Sequence, residues 1–223
     1  LGTLRDAVEW IEYCNYAGDS KFANLRRKHG HEAPFDVRYW QIGNEIYGPW
    51  EIGHLSPKDH AVLAREWAKT LRRIDRSIKI IAVGGAQRSV QWDVDLFEEA
   101  FGLIDYVTAH RYWNFNSAKG DHRYDEIVAV GYAEERAMEA IGGQIELFAR
   151  MKKSRCRPKL AFTEWNCRNT AYAEMSHTWK PSLPCYRLTD ALAVAGFLNA
   201  MQRQCQVVGL ATFAQTINVV GML

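Results

Sequence analysis

The feature that most restricts how this chain can fold is an alternation: short apolar runs trade places with amphipathic stretches along its length. Leu4, Ala7, Val8, Ile11 and Cys14 recur at helical spacing and stop at the turn-forming residues Asn15 to Ser20. Val37 to Ile42 then reads as a strand. Ser56 as N-cap and Pro57 at the first helical position open a helix with Ala61, Ala64, Ala68, Leu71 and Ile74 on one face. Strands are predicted at Lys79 to Val83, Ile104 to Ala109, Lys159 to Thr163 and Val207 to Phe213. Helices are predicted near Asp93 to Ala100, between Tyr124 and Met151, and over Leu188 to Arg203. Such alternation is the pattern of a parallel sheet covered by helices.

Two architectures fit five such strands. A doubly wound sheet that binds a dinucleotide needs a Gly-rich turn after its first strand, and the chain offers only the tight turn Gly84-Gly85. The polar residues favour a (β/α)8 barrel of the TIM type. Glu45, the pair His110 and Tyr112, Glu164 and Gln215 each follow a predicted strand, at the C-terminal edge where such barrels carry out chemistry.

At 223 residues, 48% hydrophobic and 24% charged, the chain is long enough for one sizeable core and is expected to form one soluble globular domain. Its net charge of +2 comes from interspersed residues of both signs, so no nucleic-acid partner is expected. The five cysteines form no CxxC pair and no cluster with the seven histidines, so no metal site is expected. No apolar stretch approaches the ~20 residues of a membrane span, and no membrane partner is expected. Signal-peptide order is lacking after Leu1, which favours the cytoplasm over secretion without deciding between them.

Two strands run straight into glutamate. Tyr39-Trp40-Gln41-Ile42 leads into Gly43-Asn44-Glu45, and Leu160-Ala161-Phe162-Thr163 leads into Glu164-Trp165-Asn166. Glycosidic cleavage needs such a pair, one carboxyl to protonate the leaving oxygen and the other to attack or to activate water. Trp40, Trp50, Trp113 and Trp165 flank the pair and are expected to offer apolar faces to sugar rings. Blander readings stand beside these: an exposed strand-end Glu, a buried hydrogen-bonded His110, a loop or strand-end Gln215, and core or helix packing for most tryptophans, Trp10 and Trp67 especially.

At these residues the chain resembles glycoside hydrolase family 51, the α-L-arabinofuranosidases. The likeness runs through Glu12-Tyr13-Cys14-Asn15, Gly30, Gly43-Asn44-Glu45, His110-x-Tyr112, Glu164-Trp165-Asn166 and Ala214-Gln215-x-x-Asn218. The resemblance implies Glu45 as acid/base, Glu164 as nucleophile of a retaining mechanism, and Asn44 as donor to the sugar 2-hydroxyl. It further implies that Tyr112 holds the nucleophile, that His110 lies beside the pair and that Gln215 contacts the bound sugar. No cofactor is called for. The implied substrate carries terminal α-L-arabinofuranosyl groups, as in arabinan, arabinoxylan or derived oligosaccharides.

The rivals are another barrel glycosidase, such as a β-xylosidase or endoglucanase, and a non-catalytic carbohydrate-binding remnant. Arg168 departs from the aromatic residue frequent in the family at that place and bears on the sugar pocket. In register with the family, the five strands are the fourth to the eighth. Residues 1–223 are therefore expected to be a catalytic barrel domain incomplete at its N-terminus and lacking the family's C-terminal β-sandwich. Homo-oligomerisation of the full-length protein is left open.

Overall fold

The computed structural model describes residues 2–85, 89–115, 124–169 and 188–214. Among them are seven helices and five strands, in the order α1 (Leu4–Asn15), α2 (Lys21–Lys28), β1 (Tyr39–Ile42), α3 (Pro57–Ile74), β2 (Lys79–Ala82), α4 (Val90–Ala100), β3 (Tyr106–Phe115), α5 (Tyr124–Val128), α6 (Val130–Met151), β4 (Lys159–Asn169), α7 (Leu188–Arg203) and β5 (Val208–Phe213). The strands lie in one sheet in chain order, β1-β2-β3-β4-β5. This is the repeating βα arrangement of a (β/α)8-type barrel, represented by five of its strands. Two compact units share it, Leu1–Val107 with Phe148–Pro158 and Thr108–Leu147 with Lys159–Leu223, and β3 begins in the first and ends in the second.

The first unit is built on local signals that the sequence carries openly. Thr3 caps α1 in a reciprocal capping box with Asp6, while Ser56 and Pro57 start α3. β1 pairs with β2 in parallel from Tyr39↔Lys79 to Ile42↔Ala82, and β2 pairs with β3 at Ile81↔Tyr106 and Ala82↔Val107. Asn15 fixes the approach to β1: its side-chain amide accepts from the Val37 N–H and donates to the Val37 carbonyl, both at 2.8 Å. The core joins Ile78, Ile80 and Ile81 to the alanine stripe of α3 and to Leu96 and Phe97 of α4. Phe97, Phe101 and Phe148 complete it, with ring centroids 5.4 to 6.2 Å apart.

Helix α2 has no counterpart among the predicted elements. Its buried face is carried by Arg26, which is 0% exposed, instead of by an apolar stripe. The guanidinium donates to the carbonyls of Tyr13, Tyr16, His31 and Glu32 at 2.9 to 3.3 Å, so one side chain fastens the end of α1 to the turn after α2. Burying that charge is tolerable because carbonyl dipoles replace water on several of its N–H groups.

In the second unit, β4 pairs with β5 in parallel. Phe197 of α7 stands at the centre of its core, with Trp113 at 4.8 Å and Phe162 and Trp165 at 5.1 Å. Helices α6 and α7 pass so closely that a Cβ at Gly131 would come within 2.4 Å of the Gly196 carbonyl oxygen, so only glycine fits there. Arg203 forks onto Glu135 at 2.6 to 3.0 Å and Arg111 reaches the buried Glu134 at 2.6 Å. Among the described residues no helix is long and apolar enough to cross a membrane.

Two buried acids of opposite kind sit between α3, α4 and β2. His60 stacks on Trp92 at 4.9 Å and bonds through Nε2 to the Val83 carbonyl at 2.9 Å; burial lowers it to about 4. Asp93 accepts from the Gly85 N–H at 2.8 Å, and burial raises it to about 6. Between pH 6.5 and 4 the unfolded chain takes up a proton at His60 that the folded chain refuses, so this residue destabilises the fold as pH falls. Between pH 6 and 3.8 the folded chain takes up a proton at Asp93 that the unfolded chain refuses, so Asp93 has the opposite effect. Each is worth roughly 3 kcal/mol over its window, and the two largely cancel. Chemical denaturation of each variant from pH 7 to 4 should show Asp93→Asn losing stability more steeply than the parent and His60→Gln losing less. Parallel slopes for all three proteins would refute the assignment.

Candidate active site

The strand β1 ends at Ile42, and the backbone then turns through the left-handed region twice. Gly43 has φ +82° and Glu45 has φ +44°. At Gly43 a Cβ would meet the Ile46 side chain at 3.0 to 3.3 Å as well as a disfavoured backbone, so the glycine is needed on both counts. A left-handed glutamate costs on the order of 1 kcal/mol or more, and the turn that follows holds it there. Gly48 N–H donates to the Glu45 carbonyl at 2.7 Å, and Leu55 N–H donates to Ile46 at 2.8 Å.

The Glu45 carboxylate is gripped by two side chains from that turn. Trp50 Nε1–H donates to Oε2 at 3.0 Å and the Tyr47 hydroxyl donates to Oε1 at 3.3 Å. The Tyr47 ring meets Trp50 and Trp92 edge to face at 6.1 and 5.9 Å. These three aromatics, with Leu55, Pro57, Gly85 and Ser89, line a pocket of about 300 Å³. Asn44 is exposed; Gln41 Nε2 donates to its Oδ1 at 3.3 Å, which leaves the Asn44 NH2 as the donating end.

Glu164 lies in an irregularity of β4. Phe162 pairs with Ala211 and Trp165 with Phe213, so β4 uses three steps where β5 uses two. This is a β-bulge at Thr163-Glu164, uncommon in parallel sheets and frequent beside active sites. In a regular strand neighbouring side chains point to opposite faces. Here both reach His110: Thr163 Oγ1 is 2.9 Å from Nε2, and Glu164 Oε2 is 3.7 Å from Nδ1. The Tyr112 hydroxyl donates to the same Glu164 oxygen at 3.0 Å. The His110 side chain is 5% exposed and that of Glu164 is 32% exposed, so the carboxyl group is presented on a mostly dry, hydrogen-bonded floor.

The structure thus brings Glu164, Tyr112 and His110 together in the second unit, and groups Asn44 and Glu45 with two donors in the first. His110, Tyr112 and Glu164 were expected just beyond their strands; instead β3 and β4 run on and contain them, because the continuing residues keep extended pairing despite their polarity. Two of the four flanking tryptophans are too buried to face a sugar ring. Trp113 and Trp165 are core, 5% and 3% exposed, and Trp40 packs edge-on against Trp10 at 5.7 Å. Trp10, expected in the core or in helix packing, is 65% exposed and packs from α1 onto Trp40. Trp50 is the flanking tryptophan found at a carboxylate. Tyr47 escaped the sequence reading, although a tyrosine two residues after a candidate glutamate in a tight turn was the available signal. Gln215 and Asn218 lie outside the described residues, as does the side chain of Arg168.

Comparison with known proteins supports the same reading. The family described as the alpha-L-arabinofuranosidase 1 domain matches residues 2–128, and the alpha-L-arabinofuranosidase C-terminal domain matches residues 163–223. Alpha-L-arabinofuranosidase C of Emericella nidulans is 37% identical over 238 residues, covering 100% of this chain and 45% of the relative. The chain therefore spans about 45% of the length of such curated relatives. The arabinose complex of the Thermotoga maritima alpha-L-arabinofuranosidase superposes with TM-score 0.81 at 33% identity, covering 99% of this chain and 42% of that one. The GH51 enzyme of Thermotoga petrophila gives 0.82 at 32% identity, with 99% and 42% covered. With more than half its residues in the first of these matches, the chain belongs to the α-L-arabinofuranosidases of glycoside hydrolase family 51.

Proposed function

We propose that the protein to which this chain belongs is a retaining glycosidase that releases terminal α-L-arabinofuranosyl groups from arabinan, arabinoxylan or their oligosaccharides. Residues 1–223 supply part of its catalytic barrel domain, with five of the barrel's strands, in this reading. The observation that carries it is the bulge in β4, which places Glu164 on the Tyr112 hydroxyl and beside His110. A hydrogen-bond donor on the carboxylate holds its attacking oxygen in one orientation, as a nucleophile needs.

The chemistry follows from the two carboxyl groups. A Glu164 oxygen attacks the anomeric carbon while Glu45 gives its proton to the departing oxygen, and a glycosyl ester of Glu164 results. Glu45, now ionised, takes a proton from water, and the water oxygen displaces Glu164 with a second inversion. The free NH2 end of Asn44 suits a contact to the sugar 2-hydroxyl, and Gln215 is proposed to bind the same sugar. No step calls for a metal or organic cofactor.

Two measurements on the full-length enzyme test this. Tyr112→Phe should lower kcat/KM roughly 10- to 150-fold, the worth of a hydrogen bond to a charged group; an unchanged value would remove Tyr112 from the site. Glu164→Ala should lose several orders of magnitude on every arabinofuranoside, whatever its leaving group. Glu45→Ala should still form the intermediate from a nitrophenyl arabinofuranoside, because nitrophenolate leaves without protonation. Azide, which needs no base, should then speed turnover and yield an arabinosyl azide of retained configuration. Rescue of neither variant, or rescue of Glu164→Ala alone with the leaving-group dependence transferred to it, would contradict the assignment.

A further inference from the structure

Glu45 has to change charge twice in each turnover, and the two side chains that hold it differ in what they can do about that. The Trp50 indole N–H only donates, so its 3.0 Å contact with Oε2 suits the ionised carboxylate in either half of the reaction. The Tyr47 hydroxyl, 3.3 Å from Oε1, both donates and accepts. Rotation about its C–O bond allows it to give a hydrogen bond to the carboxylate and to receive one from the protonated acid. Its ring is fixed while the hydroxyl turns. Trp50 and Trp92 clamp it edge to face at 82° and 89°. Trp92 is itself anchored, donating through Nε1 to the Val83 carbonyl at 2.8 Å and stacking on the buried His60.

We infer that Tyr47 is a positioning residue for the acid/base: it donates to Glu45 when Glu45 serves as base and accepts from it when Glu45 serves as acid. The inference rests on the acid/base role proposed above for Glu45. No proton passes to or from the phenol oxygen in net terms. The Glu45 proton goes to the leaving oxygen in the first half-reaction and a water proton replaces it in the second. A hydroxyl donates more strongly to an anion than it accepts from a neutral acid, so the balance of the contact favours the ionised form.

The test uses pH profiles of kcat/KM for the full-length enzyme on an arabino-oligosaccharide, whose unactivated leaving group needs the acid. In Tyr47→Phe the ionised form loses a donor, so the alkaline limb should move to higher pH by several tenths of a unit. kcat for a nitrophenyl substrate, limited by the base step, should also fall several-fold. A ring-fluorinated tyrosine at position 47 is nearly isosteric and a stronger donor, and should move the same limb to lower pH. This second protein keeps the test decisive if the phenylalanine variant folds poorly. Limbs that stay in place in both, with any loss of activity uniform across pH, would overturn the inference and leave Tyr47 a packing residue. Glu45→Ala profiled beside them separates the two levels: if its alkaline limb on the oligosaccharide matches the parent's, the acid/base reading of Glu45 has failed, not the role of Tyr47.

Discussion

The contact on which the candidate chemistry depends is the hydrogen bond from Tyr112 to Glu164, and it forms where β4 takes three steps from Phe162 to Trp165 against two in β5. A parallel strand with strict alternation would send Thr163 and Glu164 to opposite faces. The bulge breaks that alternation, and both residues meet His110. The same segment is braced from β5, where Thr212 Oγ1 donates to the Thr163 carbonyl at 2.5 Å. A nucleophile set in a sheet and braced in this way needs little reorganisation when it attacks, which is how pre-organised polar groups lower a barrier.

Glu45 reaches its place by a different route. Its carboxylate is carried by a tight turn in which Gly43 and Glu45 both adopt left-handed backbone, and the aromatic residues of that turn supply its donors. The proposed nucleophile thus sits on regular structure locally modified, and the proposed acid/base on a turn locally strained. That division suits their tasks. In the proposed roles, an attacking oxygen needs a fixed trajectory, whereas an acid/base has to exchange protons with a leaving group and with water.

Much of this was legible in the sequence because the signals are local. The cap of α3, the apolar strands and the run of α7 over Leu188–Arg203 follow from residue type and spacing, and the Gly-Asn-Glu segment lies just beyond β1 as expected. The failures are of three physical kinds. Helix α2 was missed because its buried face is an arginine satisfied by backbone carbonyls, which no hydrophobic periodicity reveals. β3 and β4 were cut short at Ala109 and Thr163 because polar site residues interrupt the apolar run while backbone pairing continues. The bulge at Thr163-Glu164 and the burial of Trp113 and Trp165 against Phe197 depend on a second strand or helix, so one segment read alone does not contain them.

The central claim is that Glu164 forms the bond to the sugar. A slowly turned-over 2-fluoro arabinofuranoside with an activated leaving group, incubated with the full-length enzyme, should inactivate it by stoichiometric covalent addition. Tandem mass spectrometry of the digested protein should then place the added mass on the Glu164 side chain, in the peptide containing Phe162-Thr163-Glu164-Trp165. A label on any other residue, or a fully active and unlabelled enzyme that releases product of inverted configuration, would contradict it.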